Sequence, residues 1–396
     1  MLPPEYLAGV ADDVVLTFSS VEDEIVADIA KRIVKMGYIS ETTEWQIMKG
    51  RQLGLLNQDV QKLLAEATGF SEKEILRLMT NAGMEALKYD DAIYRSAGLN
   101  PLALSESPAL TAILLHGADD TLKLLGNFTQ THALASEAAF RNLCDKAWLQ
   151  ILSGAYDPET AIRRVINELA KQNLSKIAYP DKYQTSMESA VRRAVTTGVN
   201  QAIAKLQLAR AQEMDCDLVE VTSHAGARPE HAVWQGGIYS ISGKHPKYKS
   251  LREETGYGTG EGLCGWNCYH NFYPFFEGLS TPAFSRDPSK DAGRNNDTDY
   301  TNQQRQRYYE RQIRAAKREC VTFNSAYEAA DGSVRDSFKE DFNRAAIKLK
   351  RREAALDDFL KRTSLTRYRE REQSPGFGRS VSSRAVWAKR KEDQKS

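Results

Sequence analysis

The sequence has 396 residues, of which 41% are hydrophobic, and a formal net charge of +1. A chain of this length and composition can build two or three cores, so a disordered or fibrous protein is excluded. No apolar run approaches the roughly 18 residues of a membrane span, and the first residues lack the basic and then apolar order of a signal peptide, so we expect a protein made and used in the cytosol, with no membrane contact.

The first 213 residues predict one helix after another. Ile25, Ile29 and Ile33 recur every four residues and place an apolar stripe on a helix that runs from about Ser20 to Gly37. Further helices are expected over residues 45–64, 71–94 (begun by a capping box at Ser71), 108–125, 133–152, 159–172 (begun by the N-cap Asp157) and 184–214, with a break at 177–181. This N-terminal region, residues 1–213, contains no Gly-rich phosphate loop, paired-carboxylate motif or serine nucleophile elbow, and it is typical of an ordinary helical core.

The pattern changes after the last of these helices from helical to alternating. Residues 218–222 and 237–241 are short and rich in β-forming residues, and they predict two strands on either side of a loop that contains His231. We therefore expect a small α+β domain over residues 214–285. Residues 286–303 are rich in Asp, Asn, Ser and Gly and predict a linker.

Residues 304–396 predict a basic helical tail, so the fold class is mainly α with one small α+β domain. Five apolar residues of the tail are spaced mostly by three or four positions, as in the seam of a coiled coil. They are Phe342, Ala345, Leu349, Leu356 and Phe359. After Arg371 the composition turns to Ser, Gly and Arg, which predicts a frayed, disordered end.

The charge of the chain is unevenly distributed. Residues 301–396 carry 24 Lys and Arg against 14 Asp and Glu, a net of +10. The preceding residues must then carry about −9 to give the total of +1. A basic tail on an acidic body suits contact with a polyanion or an acidic protein surface, although the solvated faces of charged helices would give the same count.

The segment from Val221 to Gly278 is the most unusual part of the chain, because it gathers four of the six histidines, two of the five cysteines and two tryptophans. Its motifs are His-Ala-Gly-Ala-Arg-Pro, His-x-x-Trp-Gln-Gly and Gly-Leu-Cys-Gly-Trp-Asn-Cys-x-His. The residues that carry them, with one nearby tyrosine, are His224, Arg228, Pro229, His231, Trp234, Gln235, Gly236, Tyr239, Gly262, Cys264, Trp266, Asn267, Cys268 and His270. This arrangement closely resembles the core of the phage minor capsid protein 2 family, which is akin to the Mu-type minor head proteins. The helices before the segment and the basic helical tail after it follow the same layout.

The resemblance implies a structural protein of a tailed phage or prophage, with a helical N-terminal region, a compact Mu-type core and charged C-terminal helices. Such a protein would be a low-copy component of the virion, in the capsid interior or at the portal vertex, assembled in the cytoplasm of the bacterial host. Its implied partners are the portal protein, other capsid or scaffold proteins, and packaged DNA through the basic tail. The resemblance implies assembly rather than turnover, so no catalytic residues are expected.

The motif segment is compatible with a metal site. Five cysteines scattered along a cytosolic chain argue for reduced thiols rather than disulfides. Cys264, Cys268 and His270 would supply three zinc ligands, and His231 or His224 would complete a tetrahedron. However, a second closely spaced cysteine pair, which structural zinc sites usually have, is missing.

Two other kinds of site are compatible with the same residues. One is a cysteine nucleophile activated by a histidine, for which no orienting acid stands out. The other is plain packing, in which Trp234 and Trp266 are buried anchors and the glycines let the loop return to the core. We expect packing and therefore no cofactor, with zinc as the alternative. The corresponding alternatives for function are a zinc-stabilised nucleic-acid-binding module and a Cys/His hydrolase or toxin-type enzyme.

Overall fold

The computed structural model describes residues 2–37, 39, 41–172, 174, 176–178 and 184–394, and it confirms a mainly α fold with a small antiparallel sheet. The helices are α1 (Pro4–Gly9), α2 (Asp12–Met36), α3 (Thr42–Ser96), α4 (Pro108–Leu152), α5 (Pro158–Lys171), α6 (Met187–Glu213), α7 (Pro229–Ala232), α8 (Leu251–Thr255), α9 (Pro288–Asp291), α10 (Asn296–Ala329), α11 (Gly332–Thr363) and α12 (Arg379–Asp393). The strands are β1 (Lys176–Ala178), β2 (Gln184–Ser186), β3 (Leu218–Val221), β4 (Ile238–Ser240) and β5 (Phe272–Pro274). Of the break predicted at 177–181, residues 179–181 lie outside the described residues. None of the helices described is both long and apolar enough to cross a membrane.

The chain divides into two compact units, and each is assembled from three separate segments. The first unit contains Met1–Val14, Phe70–Gly126 and Val191–Gln304, and the second contains Val15–Gly69, Asn127–Ala190 and Arg305–Ser396. The units therefore alternate along the chain. They do not coincide with the consecutive segments 1–213, 214–285, 286–303 and 304–396 expected from the sequence, and that division remains a prediction.

Helices α3 and α4 are longer than the sequence indicated. We predicted a break before Ser71 and another after residue 125, but both helices are continuous. Neither predicted joint contains a proline, and a helix tolerates a single glycine, such as Gly69 or Gly126, at a cost of about 1 kcal/mol. The capping box at Ser71 is wrong, since Ser71 is buried inside α3. The N-cap at Asp157 is confirmed, because its carboxylate accepts a hydrogen bond from the backbone N–H of Thr160 at 2.9 Å.

The segment predicted to be a linker is folded. It contains α9 and the first turns of α10, and its polar residues cap these helices. Asp287 is the N-cap of α9, and Asn295 Oδ1 accepts a hydrogen bond at 3.0 Å from the backbone N–H of Thr298. The Asn296 amide donates to the carbonyl oxygen of Ala227 at 2.8 Å. The prediction failed because Asp, Asn and Ser are common both in linkers and at helix N-termini.

The basic tail is part of the core of the second unit. All five apolar residues of the predicted seam are buried in one large hydrophobic cluster, which also contains residues of α2 to α5. The seam therefore has its packing partners inside the protein. The frayed end expected after Arg371 is also wrong, because Val381, Ala385 and Ala388 place one buried face of α12 in the same cluster.

A group of buried charges lies in the second unit. Arg318 is only 5% exposed, and its guanidinium contacts three carboxylates. They are Glu22 at 3.3 Å, Asp23 at 2.7 Å and Glu188 at 2.9 Å. Arg314 also contacts Glu188, at 2.8 Å. Burial alone would raise the pKa of Glu188, but Arg314 and Arg318 outweigh it and lower that pKa to about 2.

Candidate functional site

Three short strands of the first unit form the base of the motif segment. β3 pairs antiparallel with both β4 and β5, in the order β4-β3-β5. The strands predicted at 218–222 and 237–241 are confirmed as β3 and β4. Strand β5 was not predicted, since its three residues, Phe-Tyr-Pro, are too few to show an alternating pattern.

Two amide side chains of α6 hold β5 and the loop before it. Asn200 Nδ2 donates to the carbonyl oxygens of Cys268 and His270, each at 3.0 Å. Gln207 Nε2 donates to the carbonyl oxygen of Phe272 at 2.6 Å. Sequence reasoning missed both amides. The available signal was two polar residues, seven positions apart, on the apolar face of a predicted helix, where a buried amide needs backbone partners.

The loop from Gly256 to Cys268 folds back on itself. Gly262 lies so close to the carbonyl group of Gly256 that any side chain would collide with it. Cys264 and Asn267 both adopt the left-handed backbone conformation, with φ of 59° and 52°, which is uncommon for residues other than glycine. This course turns the side chains of Cys264 and Cys268 into the core, where both are buried.

The two tryptophans lie in different environments. Trp234 is 5% exposed and packs in the same cluster as Cys264 and Cys268, so its role as a buried anchor is confirmed. Trp266 is 53% exposed, so the same prediction for Trp266 is wrong. Its ring lies over the backbone at Gly260, where only a glycine leaves room for it.

Cys268, His231 and His270 form a compact buried group. Each offers one possible ligand atom, and these atoms all lie within 4.8 Å of one another. His270 Nδ1 is 3.6 Å from Cys268 Sγ, and the His224 ring stacks on the His270 ring with centroids 4.5 Å apart. Cys264 lies outside this group, and its sulfur points to the carbonyl oxygen of His270 at 3.6 Å. The structure thus brings together three of the four ligands proposed from the sequence.

Hydrogen bonds determine which nitrogen of each histidine carries the proton. Gln235 Oε1 accepts a hydrogen bond from the backbone N–H of His224 at 3.1 Å, so it also accepts from His270 Nε2 at 3.0 Å. His231 Nε2 lies 2.8 Å from the carbonyl oxygen of Glu261, which can only accept. Burial lowers the pKa of both histidines, most strongly at His270. With Nε2 of each ring facing an acceptor oxygen, the neutral ring carries its proton on Nε2 and has its lone pair on Nδ1.

Burial disfavours the thiolate form of the two cysteines in this core. Burial raises the pKa of Cys264, and it raises the pKa of Cys268 to about 11. A cysteine nucleophile needs the opposite shift, toward the thiolate. In addition, His270 directs its second nitrogen to the amide of Gln235 and not to an orienting carboxylate.

Two further motif side chains tie backbone segments together. The Tyr239 hydroxyl donates to the carbonyl oxygen of Trp234 at 2.7 Å and closes the turn between α7 and β4. Arg228 Nη2 donates to the carbonyl oxygen of Trp266 at 3.1 Å and connects the start of α7 to the glycine-rich loop. Both residues hold the frame around the histidine group.

Gly236, Pro229 and Asn267 shape the chain around the same group. Pro229 is the first residue of α7, the short helix that carries His231. Gly236 has a φ of 61° and lies against the carbonyl group of Ser285, so that a side chain would collide with it. The backbone N–H of Asn267 donates to a threonine hydroxyl of α6 at 3.3 Å. These three motif residues determine the course of the backbone around the site and are not among its three candidate ligands.

Comparison with known proteins assigns the chain to a family. The sequence model of the family described as phage minor capsid protein 2 matches residues 2–361. The chain belongs to this family. This member of the minor capsid family is thus a phage structural protein and a component of the virion, as the resemblance of its motifs implied.

Individual phage proteins are similar to this minor capsid family member. A structural protein of Lactococcus phage LL-H is 26% identical over 292 residues, which are 70% of the chain and 76% of that protein. A structural protein of Lactococcus phage mv4 is 41% identical over 73 residues, which are 18% of the chain and 55% of that protein. No solved structure matches the chain.

Proposed function

We propose that this protein acts in head assembly at the portal vertex, where it contacts the portal protein and other capsid or scaffold proteins. The observation that carries the proposal is the extent of the family match, which covers residues 2–361 and therefore includes segments of both units. A protein whose whole body belongs to a minor capsid family is expected to work as an assembly component.

A structural role is favoured over an enzymatic one by two observations. The family match continues through almost all of α11, so residues 304–361 belong to the capsid protein and not to an added toxin or nuclease domain. The raised pKa of Cys268, caused by burial, also disfavours a Cys/His hydrolase. We therefore propose that the protein is not an enzyme.

A row of exposed leucines in the second unit offers a surface for contact with another capsid protein. Leu134, Leu149 and Leu152 lie on α4 and are 63%, 64% and 63% exposed. At about 100° per residue these three positions fall within roughly 60° of one another, so they share one helix face of about 27 Å in length. Arg141 and Asp145 fall on the same face between Leu134 and Leu149, so we propose the three leucines as separate apolar contacts with another capsid protein and not as one continuous patch.

Several cations of the second unit form internal ion pairs. Arg344, Lys348 and Arg351 line one groove formed by α10, α11 and α12. Their carboxylate partners are Asp341, Glu319 and Glu392. A paired cation attracts phosphate less strongly than a free one. We therefore assign the assembly contact to a protein and treat packaged DNA as the alternative partner.

The leucine row can be tested in the phage that carries this gene. Replacing Leu134 and Leu149 together by Lys should remove the protein from purified procapsids, as measured by quantitative mass spectrometry. Lys keeps the helix but places charges in the contact. The matched control replaces Leu102 and Leu279 by Lys, because these leucines are 56% and 54% exposed elsewhere in the protein. The control should be incorporated normally.

The location at the portal needs a separate experiment. Crosslinking of wild-type procapsids, followed by mass spectrometry of the linked peptides, should connect this protein to the portal protein. Crosslinks to tail proteins alone would contradict the proposal. So would normal heads and full infectivity in a phage that lacks the gene.

A further inference from the structure

We propose that Cys268, His231 and His270 together bind a zinc ion. The three residues lie within the first unit, on α7 and in the loop before β5. The inference rests on the geometry of these side chains and does not depend on the role in head assembly.

Once the hydrogen bonds to the surrounding protein are made, the three side chains have more unpaired acceptor lone pairs than protons to donate to them. His231 and His270 each direct Nε2–H to a carbonyl oxygen, of Glu261 and of the Gln235 side chain. Each ring therefore presents an Nδ1 lone pair, whereas the Cys268 thiol has a single proton to donate. In a core held together by packing alone, each buried acceptor is expected to receive a hydrogen bond from a donor. A metal ion satisfies one thiolate and two imidazoles at once, because it accepts a lone pair from each.

The observed distances fit tetrahedral zinc. With Zn–S and Zn–N bonds of about 2.3 and 2.05 Å, a tetrahedral angle separates sulfur from nitrogen by about 3.6 Å. The separation between Cys268 Sγ and His270 Nδ1 is 3.6 Å. All three ligand atoms lie within 4.8 Å of one another. Two imidazole nitrogens on zinc are about 3.3 Å apart, so a shift of at most roughly 1.5 Å by the His231 ring closes the site.

The surroundings of the histidines are also those of metal ligands. A ligating histidine almost always donates its other N–H to a carbonyl or carboxylate oxygen, and both histidines of this group do so. One thiolate and two imidazoles favour zinc over magnesium or calcium, which prefer oxygen ligands. The three residues leave a fourth coordination position for a water molecule.

The first test is the metal content of the full-length wild-type protein. Protein purified without chelator should contain about one zinc ion per chain. After removal of the zinc, titration with cobalt(II) should produce the visible bands of tetrahedral cobalt together with a near-ultraviolet thiolate-to-cobalt band. Folded wild-type protein that carries no zinc and gives no thiolate band with cobalt would overturn the proposal.

The second test assigns the ligands. Cys268→Ser should abolish the thiolate band, and His270→Gln should weaken cobalt binding at least tenfold. Cys264→Ser is the matched control, because Cys264 is equally buried in the same core but lies outside the ligand group, and it should retain the band. The reverse pattern would show that the ligand set is wrong. If Cys268→Ser does not fold, the wild-type titration alone decides.

If Gln235 positions His270 for metal binding, its replacement should change the affinity for cobalt. A role in packing alone predicts no such change. Gln235→Met removes the acceptor that orients His270. We expect the cobalt spectrum to persist while the affinity falls by roughly 10–100-fold, as is usual for residues that orient a ligand. Unchanged cobalt affinity in folded Gln235→Met would show that His270 is not held for metal binding by this bond.

Discussion

At Arg318 a single side chain balances three carboxylates inside the second unit. Each charge separately would be costly to bury, and the group is stable because the opposite charges lie within hydrogen-bonding distance. The residues come from α2, α6 and α10, and Arg318 follows Asp23 by 295 positions. A local sequence pattern cannot reveal such a group, since each member reads as an ordinary charged residue of an amphipathic helix.

Replacing Arg318 by Met should destabilise the protein by about 3–5 kcal/mol, because it leaves buried carboxylates without their counter-charge. The free energy of unfolding in urea measures this effect. Arg362→Met is the control: Arg362 pairs with Asp358 on the surface, both being about two-thirds exposed, and its loss should change stability by less than about 1 kcal/mol. Similar values for the two variants would argue against the buried group.

Glu188 predicts a loss of stability in acid. Its pKa is about 2 in the folded protein, against an ordinary value of 4.5. Because the unfolded chain takes up this proton first, the stabilisation is complete above about pH 4.5 and is lost as the pH falls toward about 2. Urea titrations should therefore show a shallower decline over this window in Glu188→Gln than in wild type. Glu22→Gln should not flatten the decline, because burial raises the pKa of Glu22.

The two tryptophans should respond differently to truncation. Trp234→Ala should lower stability by about 3–5 kcal/mol, the usual range for a large buried aromatic side chain. Trp266→Ala should cost clearly less, since about half of the Trp266 side chain is already in solvent. Thermal unfolding of both variants, followed by circular dichroism, provides the comparison. Equal losses would contradict the observed difference in burial.

At the scale of the elements, the apolar spacing predicted most helices correctly but not where they end. The stripe of Ile25, Ile29 and Ile33 lies in α2 and is buried as expected. The extents of α3 and α4 could not be predicted, because a Ser followed three residues later by a Glu can also lie inside a helix, and α3 runs through Ser71 without a break.

The candidate site was predicted in part. The clustering of Cys268, His231 and His270 follows from their motifs, and the structure places them together. The exclusion of Cys264 from the group could not be predicted, because it depends on the left-handed conformation of that residue. The sequence shows Asn200 as a polar residue on the apolar face of a predicted helix, but it does not show which backbone carbonyl groups this amide binds.

Helix α12 should contribute measurably to the second unit. A chain that ends before Arg379 loses the buried side chains of Val381, Ala385 and Ala388 and exposes the surface they cover. We expect the thermal midpoint to fall by at least about 4 °C. Trp387→Ser is the control on the same helix, because Trp387 is 60% exposed and should leave the midpoint nearly unchanged. An unchanged midpoint in the shortened chain would contradict the packing of α12.

At the scale of the whole molecule, the net charge of +10 on residues 301–396 overstates the attraction to DNA, because Arg314 and Arg318 also pair with carboxylates outside this segment. These carboxylates are Glu22, Asp23 and Glu188. We expect full-length protein to bind duplex DNA weakly and without sequence preference. Gel shifts at rising salt should give a slope of log affinity against log salt shallower than about −5, which corresponds to fewer than about six neutralised phosphates. A steeper slope, with binding retained near physiological salt, would make DNA the preferred partner.

The alternation of the two units along the chain also determines when the protein can fold during its synthesis. The apolar stripe of α2 is buried in the same cluster as residues of α10 and α11, and about 300 residues lie between them. At roughly 5–20 residues per second, the stripe leaves the ribosome about 15–60 s before those helices. A ribosome that stops before Arg305 therefore releases a chain in which these core residues of α2 lack their partners from α10 and α11. Synthesis of Arg305–Ser396 is thus the event that completes the second unit.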